Sequence, residues 1–126
     1  MTNLTVNDVR VFVPAKDFEI SKEFYIALGW QMTWSDENLA ILEIADQRFY
    51  LQNYYTKDWA ENFMLHISVD DATAWKEHAS ALLSEGKFKD VRVEGPKLEP
   101  YGALVTYVWD PSGVLLHFAQ WNGNDP

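Results

Sequence analysis

Apolar and polar positions change their period in an order that the chain runs through twice. Val9, Val11 and Val13 alternate with Arg10 and Phe12, the period of a half-buried strand over 9–13. Asp17 suits a helix N-cap. Ile20, Phe24, Tyr25 and Leu28 then recur at helical spacing on one face, and Gly29 supplies the stop. Strand-like spacing returns over 30–34, and a polar turn occupies 35–38. Residues 39–45 and 48–54 read as a hairpin around Asp46 and Gln47, and 55–62 as a connection.

The same order then repeats. Residues 63–69 predict a strand, and Asp71 caps a second helix with Trp75, Ala79 and Leu82 on its buried face, ending near Gly86. Val91 and Val93 mark a short strand. The segment 94–102 reads as a loop, because Gly95, Pro96, Pro100 and Gly102 interrupt any regular pattern. The last strands, 104–109 and 114–120, are joined by Asp110, Pro111, Ser112 and Gly113, which have turn chemistry at every position. Residues 122–126 predict a frayed tail. Lys22 and Glu23 recur as Lys76 and Glu77, and Leu28 as Leu82, in the same register. The expected fold class is therefore α+β, one domain over 1–126, built from a first βαβββ module over about 5–55 and a second over about 62–121. Short units that cannot each close a core bury their sheets against one another. The groove between paired sheets is the expected place for a ligand.

Composition narrows the function. A hydrophobic share of 48% is ample for a packed core, yet no apolar run approaches the roughly 20 residues that span a bilayer. The first residues, Met1 to Thr5, lack the basic and apolar regions of a signal peptide, so no membrane partner and a cytoplasmic location are expected. The absence of cysteine excludes disulfides, thiolate catalysis and Cys-ligated metal. A net charge of -9 argues against nucleic acid as a partner. It is compatible with attraction of a cationic small molecule, and equally with solubility alone.

Candidate chemistry is sparse. There is no GxSxG elbow, no Gly-rich phosphate loop, and no recognisable nucleophile arrangement among Ser, His and Asp, so no catalytic residue and no cofactor are assigned. Aromatic residues carry more information. Phe24, Phe63, Trp75 and Trp109 sit in helix or strand contexts that read as packing. Trp34, Tyr54, Tyr55, Trp59 and Tyr101 fall at loops and strand ends, where a cleft rim would be. An exposed ring can stack on a planar ligand or hold a cation, worth roughly 0.5–2 kcal/mol per contact.

The doubled strand–helix–three-strand plan carries further marks. They are Asp17 followed by Ser21, Phe24, Tyr25, Leu28 and Gly29; then Val69, Asp70 and Asp71; then the Asp110 to Gly113 turn before Leu115, Leu116, His117 and Phe118. In these the chain resembles the glyoxalase, bleomycin-resistance and extradiol-dioxygenase superfamily, the vicinal oxygen chelate proteins, over about 9–120. The resemblance implies that each module forms a curled mixed sheet and that a metal or a ligand sits in the cleft inside. Its metal-ligand positions fall on Arg10, Met64, Tyr50 or Leu51, and His117, of which only His117 is a competent ligand. An Arg in such a slot also repels a dication, so no metal is expected there. Arg10 can instead bind an anionic group, pair with an acid, or pack its stem and reach solvent.

A shifted arrangement stays open. His66 shares a strand face with Met64, and His66, His117 and Glu43 are the ligand types of a two-His-one-carboxylate iron site. That set would make the chain a metal-dependent lyase, isomerase or dioxygenase; otherwise the two histidines are neutral residues lining the cleft. His78, on the second helix, reads as a surface or packing residue. The chain most nearly resembles the bleomycin-resistance branch, whose members are metal-free acidic homodimers that sequester a bulky cationic antibiotic at the subunit interface. The aromatics that sandwich the flat part of that guest fall here on Trp34 and Tyr101. The implied function is metal-independent sequestration by a homodimer, with Trp34, Tyr101, Arg10, Phe12, Met64, His66, His117, Tyr54 and Trp59 as the ligand-binding set.

Overall fold

Both predicted helix caps form. The Asp17 carboxylate accepts from Ile20 N at 3.1 Å and that of Asp71 from Ala74 N at 3.0 Å, each satisfying an orphan amide of the first turn. In the computed structural model, which describes residues 2–123, these caps open α1 (Phe18–Leu28) and α3 (Ala72–Ser84). Gly29, at φ 135, ends α1 with its amide bonded to the carbonyls of Tyr25 and Ile26. The first module adds β1 (Phe12–Pro14), β2 (Gln31–Ser35), β3 (Leu39–Ile44) and β4 (Gln47–Gln52). A short helix, α2 (Lys57–Glu61), fills the connection. The second module contributes β5 (Met64–Ser68), β6 (Arg92–Leu98), β7 (Ala103–Trp109) and β8 (Leu115–Trp121).

The sheets have the same plan. Their strand orders are β1-β4-β3-β2 and β5-β8-β7-β6, and in each the first strand lies parallel to the last while the other neighbours are antiparallel. The α+β architecture of two four-stranded mixed sheets therefore stands, and neither sheet closes into a barrel. Among the described residues no helix is long and apolar enough to cross a membrane.

Several local expectations are corrected. The first strand starts at Phe12 rather than at residue 9, although the Val11 carbonyl still accepts from Tyr50 N at 2.9 Å. Val9 is 83% exposed, so its alternation with Val11 is not converted into burial. The hairpin turns at Ala45 and Asp46, one residue earlier than expected, with Ala45 in the left-handed region at φ 51. The segment 94–98 is strand, not loop. As the edge of its sheet, β6 tolerates Gly95 and Pro96 by bulging between Glu94 and Lys97. Gly95 is required there: its φ is +101, and a Cβ would come within 2.8 Å of the Val105 carbonyl oxygen. Of the tail expected to fray, residues 124–126 lie outside the described residues.

One core serves both modules. Leu42, Phe49 and Leu51 from the first sheet and Val108, Leu116 and Phe118 from the second are buried in a single cluster with Phe24, Tyr25 and Leu28 of α1 and Ala79 of α3. Trp30 joins it, edge-on to Tyr25 at 5.6 Å and to Phe118 at 6.4 Å, while Trp75 stacks on Phe118 at 4.4 Å. Burial of each such side chain contributes about 1.5–3 kcal/mol. A polar clasp crosses the same core. The Tyr25 hydroxyl donates to Asp110 at 2.6 Å, and the Ser112 hydroxyl oxygen accepts from Lys16 N at 2.8 Å. His78 has the packing role, its Nε2 lying 3.0 Å from the Leu28 carbonyl.

Candidate functional site

Each sheet gives one face to the shared core, so its other face looks away from it. The outward faces therefore carry the candidate residues separately. On the first sheet, alternation sends Phe49 and Leu51 into the core and leaves Tyr50 outside. Phe12, the register partner of Tyr50, stacks on it at 5.0 Å. Arg10 lies over the same ring at 5.4 Å and donates to its hydroxyl at 3.2 Å. Its charge is met by Asp8 at 3.0 Å, and Arg48 is paired with Glu43 at 3.0 Å, so the face is electrically balanced rather than strongly cationic.

Trp34 reaches this face because of a bulge. Simple alternation would put Trp30, Met32 and Trp34 on one side of β2. The register instead runs from Met32 opposite Leu42 to Trp34 opposite Ile41, which leaves Thr33 as the extra residue. Ile41 pairs with Tyr50, so Trp34 is turned onto the outward face and is 47% exposed, whereas Trp30 stays in the core at 4%.

The second sheet is the richer one. Leu116 and Phe118 point inward, and His117 outward, beside its register partner His66, with ring centres 6.4 Å apart. Tyr107 meets His117 edge-on at 5.0 Å, Trp121 lies 5.6 Å from His66, and Tyr101 lies 5.8 Å from Trp121. Met64 presents its sulfur 3.3 Å from His117 Nε2. Burial, followed by the neighbouring His66, lowers the His117 pKa below the ordinary imidazole value and keeps the ring neutral near pH 7. Burial, followed by a hydrogen bond with Glu99, raises the Tyr107 phenol above its ordinary value. A cleft of about 500 Å³ opens between the two sheets where Val9, Val11 and Phe49 face the free edge of β5, with His66 at its lip.

Of the expected residues, Arg10, Phe12 and Trp34 share the first face, and Met64, His66, His117 and Tyr101 belong to the second. Tyr54 and Trp59 sit apart in the connection, 6.0 Å from each other, with Trp59 edge-on to Phe63 at 6.3 Å. Glu43 is on the first sheet and the two histidines are on the second, and among the described residues no three His, Cys, Asp or Glu cluster as metal ligands. Trp109 is corrected from a packing residue to an outward one, with the Arg92 guanidinium 3.8 Å over its ring. Tyr107 and Trp121 were missed, and Tyr50 was placed only as a metal-ligand position that the resemblance implies. Strand alternation signals Tyr50, which lies between the buried Phe49 and Leu51, but not Tyr107 or Trp121, which lie two positions from the buried Val105 and Ala119.

No protein-family model matches the chain. A bleomycin resistance protein of Klebsiella pneumoniae is 26% identical over 110 residues, covering 86% of this chain and 87% of that protein. A bleomycin-binding protein solved in complex with bleomycin superposes with a TM-score of 0.75 at 20% identity, over 95% of this chain and all of that one. This chain has the glyoxalase and bleomycin-resistance fold. A lactoylglutathione lyase from Agrobacterium tumefaciens shares that fold more distantly, with a TM-score of 0.67 at 17% identity over 91% of this chain and 94% of that one. At these identities the solved neighbours establish architecture, and the residues on the two outward faces must argue the rest.

Proposed function

We propose that the protein is a metal-independent sequestering protein for an aromatic, cationic, antibiotic-like small molecule, acting in the cytoplasm as a homodimer. Residues 1–126 act as one domain, with modules over about 5–55 and 62–121. The observation that carries the reading is the pair of outward aromatic faces, Phe12, Trp34 and Tyr50 on one sheet and Tyr101, Tyr107 and Trp121 on the other. Phe12, Trp34 and Tyr101 are exposed, while Tyr107 and Trp121 are partly buried against Ala103, Val105 and Ala119. A homodimer that sets the first sheet of one copy against the second sheet of its partner would enclose a guest between them. The bleomycin-resistance relative and the neighbour holding bleomycin support the choice of guest class.

The proposed mechanism is stacking between Trp34 and Tyr101, with Arg10, Phe12, Met64, His66 and His117 shaping the walls and Tyr54 and Trp59 the rim. Net charge -9 favours arrival of a cation. Two stacked contacts at roughly 0.5–2 kcal/mol each change the dissociation constant by about five- to a thousandfold when removed together.

Bleomycin titrated into the protein in the presence of EDTA is expected to quench tryptophan fluorescence saturably, and Trp34→Ala to weaken binding by about tenfold. No saturable binding across a panel of aromatic cationic antibiotics, bleomycin included, would overturn the reading.

A further inference from the structure

A second place for a small molecule lies behind the outward faces, in the cleft of about 500 Å³ at the free edge of β5. Its buried lining is Trp30 and Phe49, and the partly buried Trp75, Ile44 and Ile67 and the exposed Val11 complete the apolar part. Both the volume and the apolar walls are those of small-molecule sites. The two indoles are fixed before any guest arrives: Trp75 stacks on Phe118 at 4.4 Å, and Trp30 meets the same ring edge-on at 6.4 Å. One polar group in the lining is unused. The Trp30 indole N–H has no acceptor among the described residues, although the residue is only 4% exposed. No buried side-chain nitrogen there lacks a partner, so this N–H keeps contact with solvent, and the opening that Trp30 lines is the cleft. An N–H set so deep ordinarily finds a partner.

Charge narrows the class of guest. Arg48 is the one lysine, arginine or carboxylate residue on the lining, and its Nε already meets Glu43 at 3.0 Å. A guest with a net charge of its own would exchange water for a position with no counter-charge. The free donor calls for an acceptor, and the indole and phenyl rings for a flat apolar body. We infer that this cleft binds a neutral, planar aromatic molecule whose carbonyl oxygen or ring nitrogen accepts from the Trp30 N–H. Neither Trp34 nor Tyr101 belongs to the lining. The site goes beyond the sequestration reading and does not depend on it.

The test uses the full chain and the neutral naphthyl ketone prodan, whose emission shifts to the blue when it leaves water. One equivalent is expected to bind saturably, with the shifted emission excited through tryptophan as well as directly. Val11→Trp, at an exposed position on the lining, fills the cleft and should abolish the shift. Trp30→Phe keeps an aromatic ring but removes the N–H, and should weaken prodan by about two- to thirteenfold. Dimethylaminonaphthalene, which has no ketone, should lose less in Trp30→Phe than prodan does, which separates the hydrogen bond from packing. Unchanged melting temperatures establish that the variants fold. Trp34→Ala, Tyr101→Ala and saturating bleomycin should leave prodan bound. Absence of saturable binding would overturn the inference, as would a shift that survives Val11→Trp, or one lost in Trp34→Ala and so belonging to the outward faces. Binding that falls as protein concentration rises would assign the cleft to a second copy of the chain and equally overturn it. Bleomycin binding is measured separately, so either proposal can fail alone.

Discussion

Replacement of Asp110 by Asn tests the polar clasp through its pH dependence. The carboxylate is fully buried, and burial dominates its environment. Hydrogen bonds from the Tyr25 hydroxyl and from the amides of Ser112 and Val114 offset only part of that cost, leaving the pKa raised from 3.8 to about 6. The native carboxyl thus keeps its proton where the unfolded chain has released its own. Stability from this group is fullest below about pH 3.8 and is lost as pH rises through about 6. At about 1.4 kcal/mol per pH unit, the loss is about 3 kcal/mol. Asn retains an acceptor oxygen for the Ser112 and Val114 amides and cannot ionise. Urea unfolding of both proteins from about pH 4 to pH 7 should show the variant gaining on the parent by about 3 kcal/mol. Every carboxylate the two share cancels in that difference. A difference that stays flat across the range, or one that moves in the parent's favour, would refute the argument.

Other consequences are directly measurable. Gly95→Ala forces a Cβ against the Val105 carbonyl at a positive φ and should lower stability by at least about 1 kcal/mol, seen as a fall in melting temperature. Asp17→Ala and Asp71→Ala each remove a helix cap and should cost about 1 kcal/mol in chemical unfolding. Sedimentation equilibrium at micromolar concentration should give a mass twice 14.6 kDa, and a mass of 14.6 kDa would remove the proposed enclosure between copies.

Helix starts and stops were legible in the sequence because each depends on a local device: Asp17 and Asp71 as caps, Gly29 as the stop. The inward and outward sides of β8 were legible as well, since Leu116 and Phe118 alternate with Leu115 and His117. The β6 strand was hidden by Gly95 and Pro96, which break a pattern that the sheet edge tolerates. Trp34 needed the bulge at Thr33, a single inserted residue with no signature of its own. The largest difference concerns what covers each sheet. Period-two alternation says that one face is buried, but it cannot distinguish burial against a facing sheet from burial against helices shared by both modules. Arg10, Phe12 and Trp34 therefore gather on one wall, and His66, His117 and Tyr101 on another.

The turn from Asp110 to Gly113 has a consequence for how such a chain can change over time. It fastens the second module to α1 and Lys16 of the first without using a single outward side chain. Residues that hold the molecule together and residues available to meet other molecules thus occupy opposite sides of the same strands, at neighbouring positions. Exchange of one outward aromatic for another can alter selectivity while the internal joinery is untouched, leaving the scaffold free to acquire new guests one side chain at a time.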